Sequence, residues 1–254
     1  MALFTDGGVS SIEDLHGLDT QLLDVASVEG IDVSRKLGLA QEELEIELEA
    51  VLSRMSTQPY DPVLQSVKTW IGRVVVSAPL KLWHSYRALE LVYRDAYYSQ
   101  LNDRYKARRD EYHELSRWAY GKLLQSGVGM VGNAVPQALA PELQAAAGGL
   151  ADGTYYVGVS WTNAGGGEGA CSRAASITTV GSTFTVTPGA APGNAAGWNV
   201  YVGVSPAALA RQNGAVLGMG TMWTQPGVVA NGAAAGTGQA VDYVQPVERL
   251  IDRG

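Results

Sequence analysis

The first half of the chain has the hydrophobic periodicity of helices. After Pro79, apolar residues recur at spacings of three and four, which predicts a helical stripe: Leu82, Tyr86, Leu89, Tyr93 and Ala96, then Leu101, Tyr105, Tyr112, Leu115 and Ala119. Two versions are open between Pro79 and Gln125: one long helix, or two helices broken near Asn102-Asp103. Either version needs a partner for the stripe, and the length suggests packing against neighbouring copies of the chain.

Polar residues and glycines mark the predicted helix ends. Ser10 and Glu13 have the spacing of a capping box. Gly30 breaks the first helical pattern, and Asp32 can cap the next one. Pro79 suits a first helical turn, and Ser126-Gly127 is a plausible stop.

The second half alternates with period two, as strands do. Tyr155, Val157, Val159 and Trp161 share one face, and similar sets occur in "STFTVT", "GWNVYVGVS" and Leu217-Met219-Thr221-Trp223. With "SRAASITTV" and a last strand near Tyr243, about six short strands are predicted. That number favours an antiparallel β-sandwich.

Glycine-rich stretches separate these strands. Positive φ angles are expected at Gly165 to Gly167, Gly181, Gly193-Asn194 and Asn213-Gly214. Strands flank "TNAGGGEGA" on both sides, so this stretch is predicted to be a hairpin turn. A phosphate-binding loop would need a helix N-terminus behind it.

The composition changes near residue 140 and predicts an α+β protein of two domains. Before that point lie 14 of the 18 Lys and Arg residues and 19 of the 25 Asp and Glu residues, but only 10 of the 31 glycines. The predicted parts are a helical domain (1–126), a Gly/Ala/Pro-rich linker (127–149), a β-sandwich domain (150–240) and a C-terminal tail (241–254).

The charge and the cysteine count exclude several classes. A net charge of −7 argues against ordinary duplex binding, because an acidic chain gains no affinity from counterion release. Cys171 is the single cysteine, which excludes an intrachain disulfide and a multi-cysteine zinc site; we expect it in a buried strand position. The chain has no apolar run of the ~18–20 residues that a membrane span needs and no signal-peptide pattern at its start. A soluble protein made in a reducing compartment is expected.

No enzymatic constellation is evident in the sequence. His16, His84 and His113 lie in charged helical segments without metal-ligand spacing, so solvated or packing roles are expected. Asp110, His113 and Glu114 are spaced so that they could form an acid/base pair, but an exposed helix face that carries several ion pairs has the same spacing. The prediction is therefore no enzyme, no cofactor and no metal.

The tryptophans of the second half allow two interpretations. Trp161, Trp198 and Trp223, with Tyr156 and Tyr201 beside them, could form a flat sugar-binding platform. However, they fall on the strand faces that also carry valine and leucine. The core interpretation is therefore favoured.

The chain resembles the head–tail connector (adaptor or neck) proteins of tailed bacteriophages. The resemblance is carried by "SIEDLHGLDTQLLDVASVEGIDVSRKLGLAQEELE", "ALELVYRDAYYSQLNDRYKARRDEYHELSRWA" and "LLQSGVGMV". The second half, through "GTYYVGVSWTNAGGGEGA" and "GWNVYVG", resembles the immunoglobulin- or fibronectin-like modules of phage structural proteins. These patterns are diffuse and point to no particular residue.

The resemblance implies a structural virion protein at the head–tail interface, made in the bacterial host. The helical domain would form a homo-oligomeric ring, twelvefold by family precedent, that joins the portal protein to the tail, a stopper or the next neck protein. DNA would pass through an acidic lumen without specific binding. The β domain departs from a minimal helical adaptor.

A docking tail and a rival function complete the expectations. The tail "DYVQPVERLIDRG" carries apolar Val244, Val247, Leu250 and Ile251 among charges, so it either docks on a partner or packs on its own domain. The rival is an adhesion or fibre-anchoring protein whose β domain binds a host glycan or another virion protein.

Overall fold

The structure is a computed structural model that describes residues 2–55, 70–101, 103–235 and 238–245. It confirms the α+β class, with helices in the N-terminal half and antiparallel sheets in the C-terminal half. The chain forms two compact units. The helical unit contains the described residues of 7–130 and 241–245, and the β unit contains those of 1–6 and 131–240.

The helical unit contains five α-helices among its described residues. They are α1 (Ile12–Leu18), α2 (Leu22–Glu29), α3 (Val33–Met55), α4 (Ala78–Gln100) and α5 (Asp103–Ser126). A short 3-10 helix, Phe4–Asp6, precedes them in the β unit.

The long apolar stripe forms two helices rather than one. α4 ends because Leu101 adopts the left-handed conformation, with φ 50°, while its N–H still donates to the Tyr97 carbonyl at 2.6 Å. A left-handed residue cannot continue a right-handed helix. The chain then reverses, and α4 and α5 pack against each other as a helical hairpin.

Most of the predicted helix ends are confirmed, and one is shifted. Gly30 ends α2 with φ 65°, Asp32 accepts a hydrogen bond from the Arg35 N–H at 3.1 Å, and Pro79 lies in the first turn of α4. The capping box, however, is formed by Ser11 and Asp14, one residue later than predicted. Its N3 position takes an aspartate, whose shorter side chain still reaches the Ser11 N–H at 2.9 Å.

α4 is the centre of the helical unit. It is buried on more than the predicted stripe, because Leu80, Ala88, Leu91 and Val92 are inaccessible as well as Leu89. α1, α2, α3 and α5 all contact it, and the surrounding core includes Leu15, Leu22, Val25, Ala40, Tyr105 and Tyr112. Apart from Leu101, which is 70% exposed, the stripe therefore has its partners within one chain and does not require neighbouring copies.

Ten short strands complete the described structure. They are β1 (Val128–Met130), β2 (Glu142–Ala146), β3 (Gly153–Asn163), β4 (Ala175–Thr179), β5 (Thr183–Thr187), β6 (Ala195–Gly203), β7 (Ala210–Arg211), β8 (Leu217–Gly218), β9 (Trp223–Thr224) and β10 (Asp242–Val244). All their pairings are antiparallel.

Two sheets build the β unit. One has the order β2-β5-β9, and the other β4-β3-β6-β7, with β8 also paired to β6. Their inner faces share one core, in which Tyr155 of β3 and Phe184 of β5 approach to 6.0 Å between ring centroids. This is a two-layer antiparallel arrangement. Its strand order differs from that of an immunoglobulin constant domain, where the first two strands are neighbours.

The tryptophans of β3 and β6 lie in this core. Trp161 and Trp198 are directly opposite each other in the ladder, and Trp198 is fully buried, with its indole N–H donating to the Gly218 carbonyl at 3.1 Å. Trp223 is half-buried against the same cluster. The core interpretation is confirmed for Trp161 and Trp198, so a flat platform of all three rings is not formed.

The region predicted to be a linker contains structure. β1 and β2 lie within residues 127–149, and Val135 and Ala138 are part of the β-unit core. Short strands need only a few apolar residues and a pairing edge, so the lack of a helical period did not imply an unstructured bridge.

Two predicted strands differ from the observed ones. The strand near Tyr243 exists, as β10, but it pairs with β1 in the helical unit and not with the sandwich. The set from Leu217 to Trp223 is divided into β8 and β9, because Gly220, at φ 74°, forms a tight turn in which the Thr221 N–H reaches the Gly218 carbonyl.

Truncation of a core tryptophan should destabilise the β unit. We expect Trp198→Ala to lower its unfolding free energy by about 3–5 kcal/mol, because a large buried ring is lost and a cavity remains. The control is Trp118→Ala, which makes the same chemical change at a side chain that is 51% exposed. Differential scanning calorimetry of the full chain measures both variants. If the β unit unfolds at the same temperature in both variants, this account of the core is wrong.

Candidate interaction surfaces of the helical unit

A buried carboxylate joins the α1–α2 turn to the α4–α5 hairpin. Asp19 follows α1, and its Oδ2 accepts hydrogen bonds from the hydroxyls of Tyr93 at 2.6 Å and Tyr112 at 2.9 Å, while Oδ1 accepts from the Gln21 N–H at 2.9 Å. All three side chains are buried, and the two tyrosine rings stack with centroids 5.6 Å apart. One charged group therefore positions three segments at once.

The hydrogen bonds decide the ionisation of this cluster. Burial by itself would raise the pKa of Asp19, but the bonds from Tyr93, Gln21 and Tyr112 outweigh it and lower that pKa. The pKa values of Tyr93 and Tyr112 are raised, first by burial and then by the Asp19 carboxylate that accepts their hydrogen bonds. Asp19 is thus an anion at neutral pH and both phenols are protonated donors.

His84 is a second buried polar group with defined partners. Its Nε2 lies 3.1 Å from the Leu37 carbonyl oxygen, which can only accept, so Nε2 carries the proton. The Ser10 hydroxyl then donates to Nδ1 at 2.5 Å. Burial lowers the pKa of His84, and the Leu37 carbonyl opposes this only in part. Of the two expected roles, His84 has the packing role, whereas His16 is exposed.

A charged groove of about 430 Å³ lies between α3, α4 and α5. Arg87 is its central group, since its Nε donates to Glu43 at 2.5 Å and its Nη1 to Glu90 at 2.7 Å. His113 contacts the other Glu90 oxygen at 3.1 Å. The rings of Trp83 and Tyr120, tilted by 44° with centroids 4.7 Å apart, line the same groove.

Of the two interpretations of Asp110, His113 and Glu114, the acid/base pair is not the one observed. His113 contacts Glu90, Asp110 pairs with Arg109, and Glu114 lies 3.8 Å from Arg117. The interpretation as a face laced with ion pairs is confirmed for this stretch. Within the described residues, His, Cys, Asp and Glu side chains form no group of three or more that could hold a metal ion.

A smaller pocket of about 340 Å³ opens between α2, α4 and α5. Arg104 and Arg108, one helical turn apart on α5, stand at its rim, with the rings of Tyr93 and Tyr105 among its lining residues. Arg104 lies over the Tyr105 ring, 4.6 Å from its centroid, and donates to the hydroxyl of that tyrosine at 2.7 Å. Asp24, Val25, Val28 and Gln21 of α2 and its N-cap complete the lining.

The outer face of α3 is acidic. Glu42, Glu45, Glu47 and Glu49 follow one another within eight residues, and none of them has an ion-pair partner among the residues that the structure describes. Ile46 stands among them and is 67% exposed. Like charges three and four residues apart repel on a helix surface, so the neighbouring glutamates weaken α3 slightly.

The predicted docking tail is described only at its start. Val244 is half-buried and pairs with Val128 in the β1–β10 ladder, and the Gln245 side chain donates to the Gln125 carbonyl at 2.8 Å. Val247, Leu250 and Ile251 lie outside the described residues. The rest of the predicted tail therefore starts from the helical unit, at Gln245.

In the β unit, the glycine-rich turn carries a carboxylate that was not predicted to be important. Glu168 accepts hydrogen bonds from the buried side chains of Ser160, Asn199 at 2.9 Å and Tyr201 at 2.5 Å. The turn itself is confirmed: Asn163 accepts from the Gly165 and Gly167 N–H groups. Positive φ angles occur at Gly166 and Gly181, but not at the other glycines predicted to have them.

Cys171 follows this turn and is half-buried beside β3 rather than within a strand. Burial, and then the neighbouring Glu168 charge, raise the pKa of its thiol to about 11. The thiol is therefore protonated at neutral pH, and a thiolate nucleophile is not favoured.

The important polar residues missed from the sequence are Asp19, Arg104 and Glu168. The helical stripe showed Arg108 as an exception to its apolar pattern, and Arg104 lies one turn before it. Asp19 and Glu168 gave no such signal, because their hydrogen-bond partners are distant in the sequence. Tyr93 and Tyr112 follow Asp19 by 74 and 93 residues. Asn199 and Tyr201 follow Glu168 by 31 and 33 residues.

Comparison with protein-family models, curated proteins and solved structures finds no significant match to this chain. Of the helices described, none has both the length and the apolar character needed to cross a membrane.

Substitution of Asp19 should loosen the helical unit. We expect Asp19→Asn to lower its unfolding free energy by about 2–3 kcal/mol at pH 7, because charge-assisted bonds from two buried hydroxyls are lost. Asp24→Asn, at an exposed position five residues later, is the control. Since the folded pKa of Asp19 is lowered, its contribution is present above the unfolded value of about 3.9 and disappears as the pH falls through the folded value. The difference in unfolding free energy between Asp19→Asn and the parent chain should therefore be smaller at pH 3 than at pH 7, as measured by denaturant unfolding.

Buried neutral His84 should make the fold sensitive to mild acid. Its folded pKa is lowered, so below about pH 6.5 the unfolded chain binds a proton that the folded chain does not. Stability should decline from pH 7 to pH 5 with a slope of up to about 1.4 kcal/mol per pH unit. His84→Gln should flatten this decline, whereas His16→Gln should keep it. An unchanged slope in His84→Gln, measured by denaturant unfolding, would refute the assignment.

Proposed function

We propose that the chain is a structural protein of a tailed-bacteriophage virion, a head–tail connector of the adaptor type. In this role the helical unit assembles with copies of itself into a ring, twelvefold by family precedent. The ring joins the portal to the tail, a stopper or the next neck protein, and DNA passes through it. The class comes from the resemblance of the helical sequences, and the geometry supports an assembling role.

The observation that carries the proposal is the exposure of large apolar side chains on the outer faces of the helices. The interior of the helical unit is supplied by its own chain, yet Val28, Ile46, Tyr98, Leu101 and Trp118 are each more than half exposed. They lie in or beside the segments that carry the connector-like sequences. Contiguous exposed apolar surface is typical of faces that other protein subunits cover. Tyr98 and Leu101, three residues apart at the end of α4, are the two of this set that lie nearest each other in the sequence.

The charge distribution is compatible with a DNA channel. Residues 7–130 with 241–254 contain 16 Lys and Arg and 21 Asp and Glu, a net charge of −5, whereas residues 1–6 with 131–240 contain 2 and 4, a net charge of −2. Walls with excess negative charge do not retain phosphates, so a duplex can slide past them. The helical unit is the better candidate to surround the DNA.

The C-terminal tail is a candidate for docking on the portal or the tail. β10 anchors the chain to β1, so the apolar residues Val247, Leu250 and Ile251 follow from a fixed point on the ring-forming unit. An apolar segment tethered in this way can seat in a groove of the neighbouring virion protein.

A second candidate function is that of a fibre-anchoring or adhesion protein acting through the β unit. From Gln212 to Val241 the sequence contains no charged residue. This stretch exposes Val216, Met219 and Met222 around the tight turn at Gly220. Methionines on an exposed turn are suited to contacts with another protein.

Assembly of the purified chain tests the proposed function. We expect native mass spectrometry and negative-stain electron microscopy to show closed rings of one size, formed by the full chain alone or on addition of the portal protein. A chain truncated after Gln245 should still form rings but should bind the portal more weakly. A chain that stays monomeric and does not bind the portal would refute the connector. Binding of cell-surface polysaccharide by that monomer, seen as a change in tryptophan fluorescence, would favour the second candidate.

A further inference from the structure

We propose that the charged groove between α3, α4 and α5 binds the C-terminal tail of its own chain. The part of the tail that enters the groove follows Gln245 and carries Val247, Leu250 and Ile251. The inference does not rest on the proposed assembly, because the groove and the tail belong to the helical unit of a single chain. Docking of the same tail on the portal would have to displace it from this groove.

The ionic groups at the centre of the groove are already satisfied. Arg87 donates to Glu43 and to Glu90, and His113 contacts the second oxygen of Glu90. These groups therefore neutralise one another and do not need a charged ligand. A segment that binds here has to be held mainly by apolar contacts.

Apolar surface for such contacts is present in the groove. Ile46 of α3 lines the groove and is nevertheless 67% exposed. The rings of Trp83 and half-buried Tyr120 add apolar surface from α4 and α5. Because the transfer of apolar surface out of water is favourable, an apolar segment that covers Ile46 would be stabilised there.

The tail starts at the end of α5 that leads to this groove. The Gln245 side chain donates to the Gln125 carbonyl at 2.8 Å, and β10 fixes the preceding residues against β1. Tyr120 is five residues before Gln125, which corresponds to about 7.5 Å along the helix axis. His113, the lining residue of α5 farthest from Gln125, is about 18 Å away by the same measure.

One face of α5 connects the groove to this starting point. The lining residues from His113 to Tyr120 recur at spacings of three and four, so they share one face of the helix. Leu124, four residues after Tyr120, continues that face and is half-buried. The face therefore reaches the last turn of α5, where the Gln125 carbonyl holds Gln245.

The positions of the apolar tail residues match the extent of the groove. Val247 is two residues after Gln245, a reach of up to about 7 Å, and Ile251 is six residues after it, a reach of up to about 20 Å. These distances correspond to those of Tyr120 and His113 from Gln125. A short tether also gives the tail a high effective concentration at the groove, so a small contact area is enough to hold it.

Trypsin cleavage after Arg249 in the full-length chain tests this contact. Arg249 lies between Val247 and Leu250, so a bound tail is protected from the protease. The test variant is Ile46→Gln. The control is Val28→Gln, which makes a similar change at a side chain that is 74% exposed on α2 and does not line the groove. Intact-mass spectrometry measures the initial rate of cleavage, and circular dichroism with thermal melting verifies folding.

We expect Ile46→Gln to be cleaved about tenfold faster than the parent chain, because the bound tail loses the apolar contact with the isoleucine side chain. Val28→Gln should be cleaved at the parent rate. Since the groove and the tail belong to one chain, the protection of the parent should not change with protein concentration.

Three results would overturn the inference. In the first, the parent chain and folded Ile46→Gln are cleaved at equal rates. In the second, Val28→Gln is cleaved as fast as Ile46→Gln. In the third, protection increases with protein concentration, which would place the tail on another copy of the chain. None of these results refutes the connector, which is tested separately by ring formation and portal binding.

Discussion

The helical unit depends on one buried carboxylate. Asp19 can be an anion in the interior only because two phenolic hydroxyls and a backbone N–H surround it, and an unpaired charge there would be strongly unfavourable. The same bonds fix the position of α4 and α5 relative to the α1–α2 turn. Tyr93 of α4 and Tyr112 of α5 are thereby held at the same level of the hairpin.

The same principle of internal satisfaction holds for other polar groups of the helical unit. Arg87 is neutralised by Glu43 and Glu90, and neutral His84 is hydrogen-bonded to Ser10 and Leu37. At the rim of the smaller pocket, Arg108 is ion-paired with Glu111 at 3.1 Å, and Arg104 donates to the Tyr105 hydroxyl at 2.7 Å.

The β unit combines predictable and unpredictable features. The alternation in β3 and β6 placed Trp161 and Trp198 in the core, and "TNAGGGEGA" was recognisable as a turn. The role of Glu168 was not recognisable, because its partners on β3 and β6 come together only when the turn folds back on the sheet. The division of β8 from β9 depends on a single positive φ angle at Gly220, which the alternating pattern obscured.

The sequence by itself determined the α+β class, the helix ends at Gly30 and Pro79, the strand faces and the acidic character of the first half. These features are local, since periodicity and capping act within a few residues. The tertiary structure alone decided between one helix and two after Pro79, joined β10 to β1, and brought Arg104 and Arg108 to one pocket with α2. Those outcomes depend on contacts between residues far apart in the chain, and no local pattern records which distant segment will supply a partner.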